Sequence, residues 1–202
     1  LPDGASQWIT SEAARADGQA WRARAGAVLT GIGTVLDDDP LLNVRSAETA
    51  RQPMLAIVDS RLQTPLDARL WTVPQRQVVV YGAVDDDARM QALRAHGADV
   101  VIVPNTEGKV DLAAVLLDLG RREINELHVE AGGQLNGALF RASLVDELLL
   151  YQAPVLLGQG PGIAALGPLH ALADGVTLAV HDVQRIGPDV RWLARTARTL
   201  AF

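Results

Sequence analysis

Short β-rich runs alternate with amphipathic helical runs along this chain, and that alternation restricts its fold more than any other feature. Met54 to Val58, Gln77 to Tyr81 and Val100 to Val103 are apolar segments of strand length, each bounded by Pro, Asp or Gly. Helical stretches are expected between them. Asp85 to His96 carries an apolar stripe and stops at Gly97, and Asp111 to Arg121 repeats the arrangement before a strand from Glu126 to Glu130. Strands joined by crossover helices pair in parallel, because each helix returns the chain to the end of the sheet where the previous strand began.

The flanking segments extend this pattern. Thr10-Ser11-Glu12 supplies a hydroxyl cap and a first-turn acid for a helix running to about Ala25. Ala27 to Thr30 then reads as a buried strand that turns sharply at Gly31-Ile32-Gly33-Thr34, and Pro40 ends the segment after it. A further helix is predicted from Gly133 to about Ala142. Asp146 to Tyr151, Val176 to Val183 and Val190 to Leu193 follow as strands with no long helix between them, so the sheet is expected to end antiparallel. The expected architecture is a single α/β domain over residues 1–202, with a mostly parallel central sheet flanked by helices and antiparallel C-terminal strands.

Composition narrows the function classes. The chain has no cysteine, which removes disulfides, thiol nucleophiles and a zinc deaminase site of the His/Cys/Cys kind. A formal charge of −6 opposes attraction to nucleic acid or anionic lipid, so an anionic ligand must meet locally placed arginines. No apolar run approaches the roughly 18 residues of a membrane helix, and the opening Leu1-Pro2-Asp3-Gly4 has no signal-peptide character, so cytoplasmic residence is expected. A metal is not expected: Asp37-Asp38-Asp39 before Pro40 reads as a solvated turn, with no histidine or further carboxylate at ligand spacing.

Two glycine-rich turns are the main candidates for chemistry. Gly31-Ile32-Gly33-Thr34 leaves a strand, and its backbone amides suit either a phosphate or nothing more than a tight turn. The second turn runs through Gly132, Gly133, Gln134, Leu135, Asn136, Gly137 and Ala138, leaving a strand and opening a helix. In an open α/β sheet both lie beyond the carboxyl ends of strands, where a pyrophosphate-bearing cofactor would bind; close helix packing would equally demand Gly133 and Gly137. Glu130 ends its strand facing the second turn, where a carboxylate can accept from a ligand's hydroxyl or ring N–H. His128, two residues earlier on the same face, reads as a packing residue. Asp59-Ser60-Arg61 ends another strand; Ser60 beside Arg61 suits a ribose 2′-phosphate and Asp59 suits a bare ribose, so the tripeptide does not choose. Arg22 and Arg45 flank the first turn and read either as phosphate ligands or as surface charge.

Taken in order, these motifs carry a resemblance. Ser6-Gln7-Trp8-Ile9-Thr10, Arg22-Ala23, Leu29 to Leu36, Asp38-Asp39-Pro40, Arg45, Asp59-Ser60-Arg61, Val129 to Gly132, Leu135-Asn136-Gly137, and Leu144 to Leu148 through Ala153-Pro154 to Leu157-Gly158 together resemble the reductase domain of the bifunctional riboflavin-biosynthesis deaminase/reductase. The resemblance implies a dihydrofolate-reductase-like fold and NADPH-dependent reduction of 5-amino-6-(5-phosphoribosylamino)uracil, a phosphorylated ribosylaminopyrimidine, to its ribitylamino product. It also implies that Trp8, Thr34, Asp38, Ser60 and residues 132–138 contact NADPH. Ser6, Arg22, Leu42, Arg45 and Glu130 are implied substrate contacts, with the arginines toward the phosphate. No catalytic acid or base is assigned. The family's opening strand, with its lysine and Ser-Leu-Asp-Gly run, and its deaminase domain have no counterpart in the matched residues, so a sheet without that first strand is expected. A homodimer is a further family expectation. The alternatives are a reductase of the same fold acting on another pterin-like or pyrimidine substrate, and a noncatalytic nucleotide-binding module.

Overall fold

The computed structural model describes residues 8–158, 160 and 162–196. Ser11 caps the first helix, α1 (Glu12–Arg24), by accepting from the Ala14 amide. There follow β1 (Ala27–Gly31), α2 (Ile32–Asp38), β2 (Met54–Val58), β3 (Val78–Gly82), α3 (Asp87–Ala95) and β4 (Ala98–Ile102). Next come α4 (Leu112–Arg121), β5 (Leu127–Val129), α5 (Gly133–Arg141), β6 (Glu147–Gln152), β7 (Leu178–Ile186) and β8 (Asp189–Thr196). Asp86 and Asp111 cap α3 and α4. Gly97 takes the left-handed conformation, φ 89°, that the stop after α3 requires.

Five parallel strands form a sheet in the order β4-β3-β2-β1-β5. Strand alternation divides its side chains between two cores. Val28, Leu55, Ile57, Val78 and Val80 pack with Val35 of α2 and with Met90 and Leu93 of α3 on one face. On the other, Leu29, Ala56, Val79 and Tyr81 pack with Val115 and Leu119 of α4 and Leu139 of α5. β1 and β5 are neighbours, yet the chain leaves β1 toward one face and β5 toward the other. Connections that diverge in this way open a crevice at the carboxyl ends of the two strands.

The structure departs from the sequence expectation in three places. Between β2 and β3 there is no α-helix but a loop with a single 3-10 turn, Arg69–Thr72, in a stretch interrupted by Pro65 and Pro74. Gly31-Ile32-Gly33-Thr34 is not a tight turn: Gly31 is extended, φ −100°, and Ile32 already begins α2. The antiparallel strands form a sheet of their own, ordered β6-β8-β7, rather than extending the parallel ladder. No helix among the described residues is long and apolar enough to cross a membrane.

Candidate functional site

At the carboxyl ends of β1 and β5 the two glycine-bearing segments meet. A Cβ placed on Gly31 would lie 3.5 Å from Leu135 Cδ2 in the first turn of α5, and the Glu130 amide donates to Leu29 O at 2.9 Å. The first turn of α5 has amides without intrahelical acceptors. Its N-cap, Gly132, has no side chain to occupy them and is exposed. Gly132 and Gln134 therefore face solvent beside the crevice, with Thr34 half-buried on α2 and Asp38 exposed at the end of that helix.

Gly133 and Gly137 have a different reason to be glycine. The 162–165 segment crosses α5, where a Cβ on Gly133 would come 2.6 Å from Gly162 O and one on Gly137 would run into Ala165 O. Asn136 straps the crossing by donating from Nδ2 to Ala131 O at 3.0 Å and Ile163 O at 2.9 Å. Leu135 and Ala138 complete the turn as half-buried residues. Packing thus accounts for the inner half of 132–138, and the outer half remains open to a ligand.

Arg22 and Glu130, candidates taken separately from the sequence, form one unit. Arg22 Nε and Nη2 each lie 2.6 Å from an oxygen of Glu130, a bidentate pair, and Nη1 donates to Asn43 O. The Arg22 side chain is 11% exposed and that of Glu130 26%, so the guanidinium is committed while the carboxylate edge stays reachable. His128, passed over in the sequence, faces the same carboxylate, with Nε2 3.5 Å from Glu130 Oε1. Burial holds its pKa below the usual histidine value against the opposing pull of Glu130.

The chain from 41 to 45 passes beside this pair with no strand partner, and side chains satisfy its backbone instead. Arg76 Nη1 donates to Leu41 O at 2.6 Å and Leu42 O at 3.2 Å. Gln52 brackets Val44 through both its N–H and C=O, and Gln19 accepts from the Arg45 amide at 3.0 Å. Burial first, then the nearby Arg22 charge, lower the Arg76 pKa to about 10. Leu42 sits in the core with φ 47°, which the surrounding hydrogen bonds enforce. Arg45 is exposed, with a single long side-chain hydrogen bond among the described residues, Nη1 to Asn43 Oδ1 at 3.4 Å. Gln19, Asn43, Gln52 and Arg76 were not legible as site residues, since each acts on backbone remote in sequence.

Ser60 follows β2, where its Oγ accepts from the Val110 amide at 3.2 Å. Trp8 is exposed at the approach to α1, its ring under the Arg15 guanidinium at 4.5 Å. Ser6 lies outside the described residues. No group of three or more His, Asp or Glu that could hold a metal occurs among the described residues.

Residues 1–192 match the RibD C-terminal domain family. The chain is 37% identical over 198 residues to the riboflavin biosynthesis protein RibD of Escherichia coli, covering 94% of this chain and 54% of that protein. It is 29% identical over 199 residues to the 5-amino-6-(5-phosphoribosylamino)uracil reductase of Buchnera aphidicola, covering 95% of this chain and 96% of that one. Among solved structures, Acinetobacter baumannii RibD superposes with a TM-score of 0.82 at 34% identity, over 96% of this chain and 53% of its own. The chain thus spans about half the length of the RibD proteins it matches.

Proposed function

The chain belongs to the RibD C-terminal domain family, and on that premise we propose that it reduces 5-amino-6-(5-phosphoribosylamino)uracil to the ribitylamino product, with NADPH as reductant, in riboflavin biosynthesis. The observation that carries the reading is the meeting of the first turn of α5 with the end of β1, beside the Arg22–Glu130 pair. The exposed, uncapped start of α5 fits a pyrophosphate. Trp8, Thr34, Asp38, Ser60 and the outer residues of 132–138 are the proposed cofactor side. When bound, the nicotinamide supplies the hydride.

The protein's contribution is positioning. Reacting carbons must be held about 3 to 3.5 Å apart, and the structure supports three devices for it. Glu130, fixed by both nitrogens of its partner, offers its outer lone pairs to pyrimidine N–H or sugar O–H donors. Arg22 orients that carboxylate, its Nε and Nη2 donating to Glu130 and its Nη1 to Asn43 O. Arg45, on a segment held by Gln19, Gln52 and Arg76, is left to take the substrate phosphate. Cytoplasmic residence and homodimeric assembly enter the proposal from the family alone.

Steady-state kinetics test this assignment. Arg45→Ala is expected to raise the substrate KM by about ten- to a hundredfold, the equivalent of one charge-assisted hydrogen bond of about 1.5–3 kcal/mol, and to leave the NADPH KM nearly unchanged. Equal increases in both constants would reject Arg45 as the phosphate ligand.

A further inference from the structure

The loop between β2 and β3, where a crossover helix was expected, ends by delivering Arg76. Gln75, just before it and after Pro74, takes a left-handed conformation, φ 58°, which strains a non-glycine residue. Leu42, which Arg76 reaches, is left-handed as well, φ 47°. One guanidinium joins the two strained points: Arg76 Nη1 donates to Leu41 O at 2.6 Å and Leu42 O at 3.2 Å, and Nη2 donates to Leu70 O in the 3-10 turn. Arg22 Nη1 takes the next carbonyl, Asn43 O, so three consecutive carbonyls of the segment accept from two arginines. Just upstream, Asp39 Oδ1 accepts from the Arg69 amide at 2.8 Å and ties the same segment to the same turn.

Arg76 is a costly brace. It joins no ion pair among the described residues, and its Nε is buried without a hydrogen-bond partner. Burial, then the like charge of Arg22, push its pKa down to about 10, which leaves it charged at neutral pH. Buried cations are ordinarily matched by acids. Neutral amides do comparable work two residues on, where Gln52 holds Val44 and Gln19 holds the Arg45 amide. Strain and an uncompensated charge kept beside a ligand site point to a functional demand rather than to stability. The demand is geometric: a rigid planar fork spans residues 41, 42 and 70 at once, which a lysine or a glutamine cannot do.

We propose that Arg76 is the positioning residue of the substrate-phosphate site: its fork fixes the turn at Leu42 and thereby sets where Arg45, three residues on, meets the phosphate. The inference rests on the proposed reduction of a phosphorylated ribosylaminopyrimidine and on Arg45 as its phosphate ligand. A binding group has to be held within about 0.5 Å of its productive place, and a segment with no strand partner has no ladder to hold it. Arg76 acts through that segment and touches no ligand.

A double-mutant cycle tests this. The parent protein, Arg45→Ala, Arg76→Gln and the double variant are compared by steady-state kinetics, with ribose 5-phosphate as a competitive probe and the urea midpoint recorded for each. Arg76→Gln is expected to raise the substrate KM and the ribose 5-phosphate Ki by about tenfold, to leave the NADPH KM unchanged, and to add less than about twofold once Arg45 is alanine. A brace that serves the fold alone would raise both KM values together, or raise the substrate KM by one factor with and without Arg45. Either result, or an unchanged substrate KM, overturns the inference while the reductase reading stands. Should Arg76→Gln not fold, Arg76→Lys, which keeps the charge and loses the fork, enters the same cycle and is judged by the same outcomes. A parent protein without NADPH-dependent turnover of the substrate overturns the proposed function and this inference with it.

Discussion

His128 shows how a single side chain changes meaning once its neighbours are known. Alternation put it on the same face as Glu130, and as a lone strand histidine it read as packing. In three dimensions Glu130 and Glu126 face it from its own segment, and Arg22 and Arg24 face it from α1. Burial is the largest influence and disfavours the imidazolium, so the folded pKa lies below the 6.5 of the unfolded chain. The unfolded state then binds more protons than the folded state as pH falls through about 6.5, and stability is lost over that interval. His128→Phe should flatten the fall in Tm between about pH 7 and pH 5. An identical slope in both proteins would show that His128 titrates alike folded and unfolded. At the residue level, then, Glu130 and Arg22 were legible as candidates, but not their pairing.

Among the elements, α5 was the one most open to misreading. Its glycines read either as a cofactor's approach path or as helix packing against the sheet. Contact is instead made with a loop: Ala165 N donates to Gly133 O at 2.7 Å and Arg141 reaches Ala165 O, so 162–165 lies backbone-to-backbone on the helix. Nothing in the periodicity of residues 133–141 could announce this, because the crossing segment begins some twenty residues later. Gly33 contrasts with them, for a Cβ there would meet nothing within 4 Å. Gly137→Ala must push the crossing loop outward and should destabilise the protein by about 1–3 kcal/mol, read as a lowered urea midpoint, with faster amide exchange at residue 165. An unchanged midpoint and exchange rate would mean that the loop yields freely and does not constrain α5.

In the molecule as a whole, the two sheets share no ladder, and α1 bridges them. Its N-cap Ser11 donates to Asp189 Oδ2 through both the amide, 2.7 Å, and the hydroxyl, 2.8 Å, at the start of β8. Midway, Asp17 accepts from the Tyr151 hydroxyl and from Arg191, whose Nη2 also reaches Asp182 at 3.0 Å. Burial and the bond to Asp17 push the Tyr151 pKa up, so the hydroxyl remains a donor. Near its C-terminus the same helix delivers Arg22 to Glu130, just past the end of β5. Asp189→Ala strips Ser11 of a buried, charged acceptor and should cost about 1.5–3 kcal/mol; because α1 also sets Arg22, the substrate KM should rise although no ligand contact has changed. Equilibrium denaturation alongside kinetics checks both parts, and a destabilised variant with unaltered KM would uncouple the bridge from the site. Whereas the loop that replaces the helix expected between β2 and β3 was not readable along the chain, most element types, the cap at Ser11, the stop at Gly97 and the glycine-bearing strand ends were. Each depends on periodicity or on a hydrogen bond spanning a few residues. The order placing β5 beside β1, the separate antiparallel sheet, the Arg22–Glu130 pair 108 residues apart and the burial of Asp59 were not. The same alternation of apolar and polar residues satisfies many strand orders, and the side chains that meet across them are chosen by long-range packing, which no local pattern encodes.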